Sequence, residues 1–397
     1  MLVSLALVLL IGFAFSGILT RLKLPGLLGM ILTGILLGPY VLNLIDGSVL
    51  AISSDLREIA LIVILLRVGL SIDIKDLKRI GKPALLMSFI PASLEILAIT
   101  FSAPVLLGVS YLEALIMGSV LAAVSPAVVV PRMLKLMEEG YGQDKRVPQL
   151  VMASASIDDI YVIILFTAFI GMYQGDGFNM LKLINIPISI ITGALFGVVI
   201  GAILVVAFKK IHIRDTIKVL IILSIAFLIV SFEHLITTII PLSGLLAVIF
   251  MGGMMLYQYP VLAKRLTGKF AKIWVAAEII LFVLVGAAVD INYLNDAGLK
   301  SLLMILIALL MRMIGVYISL STTKLNLKER LFCAIAYLPK ATVQAAIGAI
   351  PLAAGVNAGN LILTIAVLSI IITAPLGAIG IDRTYKYLLV KKKAKYD

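Results

Sequence analysis

The sequence predicts an all-α polytopic membrane protein with thirteen transmembrane helices. Three observations support this fold class: 62% of the 397 residues are hydrophobic, only 14% are charged, and the mean hydropathy is +1.18. Soluble chains have about 45–50% apolar and about 25% charged residues. A single membrane domain over residues 1–397 therefore fits better than two or three soluble domains.

Apolar runs bounded by proline, glycine and charged residues define the helices, because about 20 residues cross the apolar core of a bilayer. The first run has no basic start and is followed by Arg21 and Lys23, so we expect a retained helix and not a cleaved signal peptide. The predicted ranges are 2–20, 24–43, 56–72, 83–109, 113–137, 150–173, 186–208, 217–235, 242–257, 273–291, 298–320, 328–355 and 358–380.

Basic residues indicate the orientation, because Lys and Arg in short loops stay on the cytoplasmic side. Loops after odd-numbered helices hold nearly all of the 33 basic residues, including the cluster Lys75, Lys78 and Arg79. Loops after even-numbered helices hold only three, Arg57, Lys182 and Lys300. We therefore expect a protein of the cytoplasmic (inner) membrane with its N-terminus outside and its C-terminus in the cytoplasm. This topology explains the net charge of +12 without a nucleic-acid partner.

Metal and nucleotide chemistry have little support in the composition. One cysteine, Cys333, excludes an intrachain disulfide and a multi-cysteine metal site. The two histidines, His212 and His234, are too few for a histidine metal cluster. The sequence has no phosphate-binding GxxxxGK[ST] loop, so no nucleotide or other cofactor is expected.

Seven charged residues remain inside predicted spans once those near the span ends are assigned to the loops. A charged side chain costs about 2.5–3.5 kcal/mol at the centre of a membrane helix on insertion scales, so such residues face the interior of a bundle and are paired or functional. The seven are the bases Arg67, Arg312 and Lys340 and the acids Glu95, Asp158, Asp159 and Glu278.

Asp158 and Asp159 are adjacent in the sixth span. Neighbouring side chains on a helix point about 100° apart, so the two carboxylates face different directions. Two close carboxylates repel each other, and the pair can therefore bind either protons or a cation. The structural alternative, in which Lys or Arg partners neutralise both acids, stays open.

Two spans contain prolines that interrupt a helical run. Pro126 and Pro131 lie in the fifth span, VLAAVSPAVVVPRML, and Pro339 lies in the twelfth, AIAYLPKATVQAAIGAI. A proline removes a backbone hydrogen bond, and the exposed peptide groups are tolerated at membrane depth only where they are buried or line a cavity. Ordinary proline kinks are the alternative interpretation.

The two broken spans are seven helices apart, as are the spans with Glu95 and Arg312. Because seven is odd, the second half enters the membrane from the opposite side, which predicts inverted-topology repeats with broken helices crossing at the midplane. Half-helix dipoles there need polar or charged partners. The expected lining includes a serine hydroxyl at position 155 of the ASAS segment, a position that the sequence gives as Ala155. The other lining residues are Ser125, Pro126, Pro339, Lys340, Thr342 and Gln344.

Three long strings resemble the monovalent cation:proton antiporter superfamily, in its NHA-type sodium/hydrogen exchanger subgroup. They are IALIVILLRVGLSID (59–73), AAVSPAVVVPRMLKLMEEGYGQDKRVPQLVMASASIDDI (122–160) and AYLPKATVQAAIGAI (336–350). The likeness covers essentially the whole chain and implies a bacterial or archaeal transporter that is not an enzyme.

At the matching positions, the resemblance implies that Asp159 is the main ligand of Na⁺ or Li⁺ and the proton carrier, with Asp158 in support. Glu95 and Arg312 would form a core ion pair, in which charge reversal of both should restore folding better than either change alone. The resemblance also implies a homodimer in lipid. Core helices at about 56–173 and 273–380 would slide past dimerisation helices at about 1–43 and 186–257, as an elevator.

The implied activity is the exchange of Na⁺ or Li⁺ for H⁺ in pH homeostasis. Electrogenic relatives carry a lysine on the tenth helix that pairs with the first aspartate, and this chain has none there. We therefore expect electroneutral exchange, with Arg312 or Lys340 as candidate partner of Asp158. The alternatives are a K⁺/H⁺ antiporter or an ion-coupled carrier of a small organic anion. An intramembrane aspartyl protease is disfavoured, because both acids lie on one helix.

Overall fold

The computed structural model describes residues 1–71, 81–174, 180–211, 213–233, 242–290 and 292–391. His212, His234 and the basic cluster Lys75, Lys78 and Arg79 lie outside the described residues. Regular structure in the described part is helical. The helices are α1 Leu2–Arg21, α2 Gly26–Leu37, α3 Gly47–Ala51, α4 Ser53–Ser71, α5 Lys82–Leu107, α6 Tyr111–Leu121, α7 Pro126–Glu139, α8 Val147–Gln174, α9 Met180–Lys210, α10 Asp215–Ser231, α11 Gly244–Gln258, α12 Pro260–Ala287, α13 Asn292–Ser319, α14 Leu327–Ala336, α15 Thr342–Ile347, α16 Ile350–Ala353 and α17 Gly359–Leu388.

Eight helical segments among the described residues are long and apolar enough to cross a membrane, with Tyr111–Glu139 taken as one segment. Three shorter apolar segments, Gly26–Leu37, Gly244–Gln258 and Thr342–Ala353, accompany them. The chain is therefore a multi-pass membrane protein, as its composition predicts. The number of thirteen spans stays a prediction.

Some helices continue past their predicted ends. α12 begins at Pro260, whereas the prediction starts at 273, and α17 ends at Leu388, whereas the prediction stops at 380. The added turns contain charged residues, such as Lys264 and Lys386, that mark the end of an apolar run. Lysine is nonetheless a good helix former, so the backbone can stay helical after the apolar segment ends.

Both predicted breaks are confirmed. Residues 122–125 separate α6 from α7, and residues 337–341 separate α14 from α15. Pro126 occupies the first position of α7, where the missing N–H would have no helical partner in any case. The second broken span is interrupted again before α16, which begins at Ile350.

Contacts group the chain into two compact units. The first consists of Met1–Gly47, Ile74–Phe166 and Phe282–Asp397, and within it α5 packs along α13, α6 packs on α5, and α14 packs against α17. The second consists of Ser48–Asp73 and Thr167–Leu281, and in it α11 packs against both α9 and α4. The division into core and dimerisation helices stays a prediction.

Small residues allow a close helix contact in the second unit. Gly193, Gly197 and Gly201 are spaced four residues apart on one face of α9, and a Cβ at each would overlap a backbone oxygen of Ser243 or of α11. Glycine at this spacing lets two helix backbones approach each other, as in many membrane bundles.

Candidate functional site

The two helix breaks meet inside the first unit and form the frame of the site. Ser125 precedes α7 with an extended backbone, and its N–H donates a hydrogen bond to the carbonyl oxygen of Pro339 at 2.7 Å. Gln344 of α15 joins the breaks again, because its Nε2 donates to the carbonyls of Leu121 at 3.1 Å and Ala123 at 2.7 Å. Peptide groups that lose their helical hydrogen bonds at one break are thus hydrogen-bonded to groups of the other broken span.

The start of α15 is satisfied by side chains of the same unit. Gln344 Oε1 accepts a hydrogen bond from the N–H of Ala341 at 2.8 Å. The N–H of Lys340 donates to Thr373 Oγ1 of α17 at 3.0 Å. Thr342, which begins α15, is buried. The orphan amides before this short helix therefore have fixed partners.

Arg312 of α13 lies fully buried at the centre of the site. Its Nη1 lies 2.8 Å from Glu95 Oε2, its Nη2 lies 2.9 Å from Asp158 Oδ2, and its Nε donates to the carbonyl of Tyr337 at 2.9 Å. Nη1 also donates to the carbonyl of Ala122. One planar guanidinium thereby connects acids on two helices with a peptide group from each break.

Lys340 supplies a second buried cation. Its Nζ lies 2.6 Å from Glu95 Oε1, and its side chain is 1% exposed. Glu95 therefore contacts a different cation with each carboxylate oxygen. A buried carboxylate without such partners would be costly, so the two cations account for its presence in the bundle.

The two adjacent aspartates have different surroundings, as expected from their separation on the helix. Asp158 Oδ2 accepts hydrogen bonds from Arg312 and from the N–H of Val124, the latter at 2.8 Å. Asp159 is 3% exposed, and its Oδ1 has no hydrogen-bond partner among the described residues. Asp158 Oδ1 and Ser125 Oγ are among the other buried oxygens of the described residues that lack a hydrogen-bond partner.

The charges of this cluster do not cancel. We define the charge cluster as Glu95, Asp158, Asp159, Arg312 and Lys340, all of which are buried. Three negative and two positive groups leave one net negative charge when all are ionised. A single bound monovalent cation or a single proton brings the cluster to neutrality.

The remaining predicted residues are placed as follows. Pro126 is half-buried beside Ser125, and Pro339 is buried in the second break. Arg67 and Glu278 lie in the second unit, where the Arg67 guanidinium is 5.7 Å from the Trp274 ring centre and Trp274 hydrogen-bonds Glu278.

The expectation of a serine hydroxyl at position 155 was wrong, because that residue is Ala155. The neighbouring hydroxyl, Ser154, is buried and donates to the carbonyl of Leu150 one turn earlier on α8. The Ser154 hydroxyl therefore donates its hydrogen bond to the backbone of its own helix.

Some site groups were missed at the sequence level. The carbonyls of Ala122 and Tyr337 accept hydrogen bonds from Arg312, whose guanidinium also lies 5.3 Å from the Tyr337 ring centre. A break leaves carbonyls just before it unpaired, so the positions of Pro126 and Pro339 could have identified both. Thr373 gave no clear signal, since an isolated threonine in an apolar span is ordinary.

Paired broken helices that cross beside buried acids in a multi-pass bundle are the architecture of a secondary transporter. The carboxylates fit a monovalent cation and a proton as cargo. The comparisons with known proteins agree with this class.

A family model described as "Sodium/hydrogen exchanger, transmembrane" matches residues 5–386. Human sodium/hydrogen exchanger 9B2 is 35% identical over 385 residues, which cover 93% of this chain and 70% of the human protein. Human sodium/hydrogen exchanger 9B1 is 32% identical over 376 residues, covering 90% of this chain and 71% of that protein. The chain therefore belongs to the sodium/hydrogen exchanger family and is a transporter.

A solved structure supports the fold. The sodium proton antiporter MjNhaP1 from Methanocaldococcus jannaschii at pH 8 superimposes with a TM-score of 0.83, at 23% identity and with 97% of each chain covered. The fold predicted from the sequence, that of sodium/proton antiporters, is thereby confirmed.

Proposed function

We propose that this protein exchanges one Na⁺ or Li⁺ for one H⁺ across the cytoplasmic membrane, with Asp159 as the shared binding group. One observation carries the proposal: Asp159 is buried, and its Oδ1 has no hydrogen-bond partner among the described residues, while the neighbouring Asp158 is held by Arg312 and Val124. A buried carboxylate oxygen without a partner is costly, so it favours a ligand.

Antiport follows from competition at Asp159. A dehydrated cation and a proton cannot occupy the same carboxylate together, so binding of one requires release of the other. Hard oxygen ligands suit small cations. Asp158 Oδ1 and Ser125 Oγ are buried oxygens without partners in the described part of the chain, and we assign them as further candidate ligands.

The charge balance of the cluster explains why a site without a bound cation or proton would not move across the membrane. With Asp159 ionised and unoccupied, the charge cluster carries one net negative charge, and moving it through the bilayer core is unfavourable. Either Na⁺ or H⁺ removes this charge. The occupied cluster can then change its access by an elevator movement of core helices against dimerisation helices in a homodimer.

The pairing of Asp158 favours a stoichiometry of one to one. The Arg312 guanidinium stays protonated in proteins, so its contact with Asp158 favours the ionised form of this acid. Only Asp159 is then left to exchange a proton for a cation. Both cations of the cluster contact carboxylates, which favours a cationic cargo over an organic anion.

The test is transport by the full chain in proteoliposomes that contain a pH-sensitive dye. Addition of Na⁺, Li⁺ or K⁺ in turn identifies the cargo from the dye response. Asp159→Asn keeps the shape of the side chain but cannot exchange a proton, so cation-driven proton movement should be lost. Repeating the assay with a potassium-clamped membrane potential tests the stoichiometry, since one-to-one exchange is insensitive to the potential.

The matched control is Asp215→Asn, which removes a different acid. Asp215 pairs with Arg265 at 2.9 Å in the second unit and should leave transport intact. Both variants are checked by size-exclusion chromatography before reconstitution. Normal exchange by a folded Asp159→Asn protein would refute the assignment, and a response to K⁺ alone would replace Na⁺ by K⁺ as the cargo.

A further inference from the structure

A cavity of about 340 Å³ opens among loops of the first unit, and no residue of the charge cluster lines it. Three segments form its wall: the start of α5, the loop between α7 and α8, and the loop between α13 and α14. The polar or loop-derived lining residues are Pro83, Asp144, Lys145, Arg146, Thr323 and Lys324.

Three of the four charged residues that line the cavity are basic. Lys145 contacts Glu329 of α14 at 2.7 Å, so its charge already has an acidic partner. Arg146 and Lys324 are exposed, and neither has an acidic partner within the described residues. Asp144 is the single acid among the described lining residues. The cavity therefore presents two available cations against one carboxylate.

The backbone holds Arg146 in an unusual conformation. Its φ is 53°, in the left-handed region that residues other than glycine rarely adopt. The adjacent backbone is fixed by hydrogen bonds from Arg146 N–H to the Gln143 carbonyl at 3.2 Å and from Val147 N–H to the Gly142 carbonyl at 2.9 Å. Strained residues concentrate at functional sites, so this conformation is consistent with a binding role for Arg146.

The position of the cavity in the predicted topology indicates which kind of ligand it meets. All three lining segments follow odd-numbered predicted spans, which places them on the cytoplasmic side, at the level of the lipid headgroups. Basic pockets between helices on that side bind phosphate-bearing headgroups. The volume lies at the lower end of the roughly 300–1,000 Å³ typical of small-molecule sites.

We propose that this cavity binds a phosphate group, carried either by an anionic lipid of the cytoplasmic leaflet or by a soluble anion, through Arg146 and Lys324. The bound phosphate bridges the α7–α8 and α13–α14 loops, and the ion pair of Lys145 with Glu329 already connects the first of these loops to α14. α7 follows one break of the transport site and α14 precedes the other, so the bridge fixes the two broken helices at their cytoplasmic ends.

The test measures binding, which makes it independent of antiport activity. The purified full chain in detergent is titrated in separate arms with inorganic phosphate, phosphatidylglycerol and phosphatidylcholine, and the rise of its thermal unfolding midpoint gives the affinity. We expect protection by phosphate or by phosphatidylglycerol, and none by phosphatidylcholine. Protection by phosphatidylglycerol alone identifies a lipid site, and protection by inorganic phosphate identifies a soluble ligand.

The variant Arg146→Gln with Lys324→Gln should weaken this binding about tenfold or more, because two basic contacts are lost. The control, Lys264→Gln with Lys272→Gln, removes the same charge from exposed positions of α12 and should bind as the unchanged protein does. Both side chains changed in the cavity are exposed, so the variant should fold. Equal binding by the cavity variant, equal weakening in the control, or no protection in any arm would overturn the proposal.

Discussion

Replacement of Arg312 by methionine should destabilise the protein severely, because one guanidinium holds Glu95, Asp158 and the carbonyls of Ala122 and Tyr337. Removing one partner of a buried ion pair costs about 3–5 kcal/mol. Each buried carbonyl left without a donor adds about 1–3 kcal/mol. The expected loss is therefore about 5 kcal/mol or more, which is comparable with the whole stability of many proteins, about 5–15 kcal/mol.

The second-site change Asp158→Asn should recover part of this loss. Glu95 keeps Lys340 at 2.6 Å when Arg312 is absent, so the charge left without a partner is mainly that of Asp158. Removing that charge should restore about 1–3 kcal/mol relative to Arg312→Met alone. The coupling is measured by a double-mutant cycle on denaturant unfolding in detergent micelles, which isolates the pairwise interaction.

The outcome that would refute this reasoning is additivity. If Arg312→Met and Asp158→Asn each destabilise and their effects sum in the double variant, the contact at 2.9 Å carries no coupling energy.

The network also revises the expectation that charge reversal of Glu95 and Arg312 restores folding. Glu95→Arg would place a guanidinium beside Lys340, and Arg312→Glu would place a carboxylate beside Asp158, so the reversed pair should stay unstable.

Three further outcomes follow from contacts in the same unit. Gln344→Ala removes two hydrogen bonds between the breaks and a third within the second break, and should cost about 2–4 kcal/mol in unfolding experiments. Tyr385→Phe removes the hydrogen bond to Glu139 at 2.8 Å and should cost about 0.5–1.5 kcal/mol, with unchanged transport in proteoliposomes. Gly34→Ala should lower the thermal unfolding midpoint, because a Cβ there overlaps the α12 backbone and overpacking costs about 1–3 kcal/mol. Gly17→Ala, which has open space around the glycine, is the control and should leave the midpoint equal or higher.

The members of the charge cluster could be identified from the sequence, whereas the full set of contacts among them could not. Charges at membrane depth are rare, so Glu95, Arg312 and Asp158 stood out against the apolar background. The prediction paired Arg312 with Glu95 and left the partner of Asp158 open. The structure brings all three together, and which side chains meet depends on how α5, α8 and α13 rotate about their axes, a property that packing sets and sequence spacing does not.

Helix breaks were predicted more reliably than helix ends. Pro126 and Pro339 located both breaks, because proline interrupts the backbone hydrogen bonding whatever surrounds it. The end of α17 at Leu388 and the start of α12 at Pro260 were missed, since the apolar pattern reports the membrane boundary and not the helix boundary. Hydrogen bonds that involve peptide groups, such as that from the N–H of Val124 to Asp158 Oδ2, do not depend on residue type and could not be predicted.

The choice of arginine over lysine as the partner of Asp158 bears directly on stoichiometry. A buried lysine can release its proton and could therefore add a second exchangeable proton to the site, whereas a guanidinium stays charged. This chain has no basic residue at the position of the lysine on the tenth helix of electrogenic relatives, and Arg312 of α13 contacts Asp158 instead, at 2.9 Å. Lys340, the remaining lysine of the cluster, contacts Glu95 at 2.6 Å and not the aspartates. Under the proposed one-to-one exchange, Asp159 is therefore the group that we expect to change its proton, because the other two acids of the cluster each contact a cation.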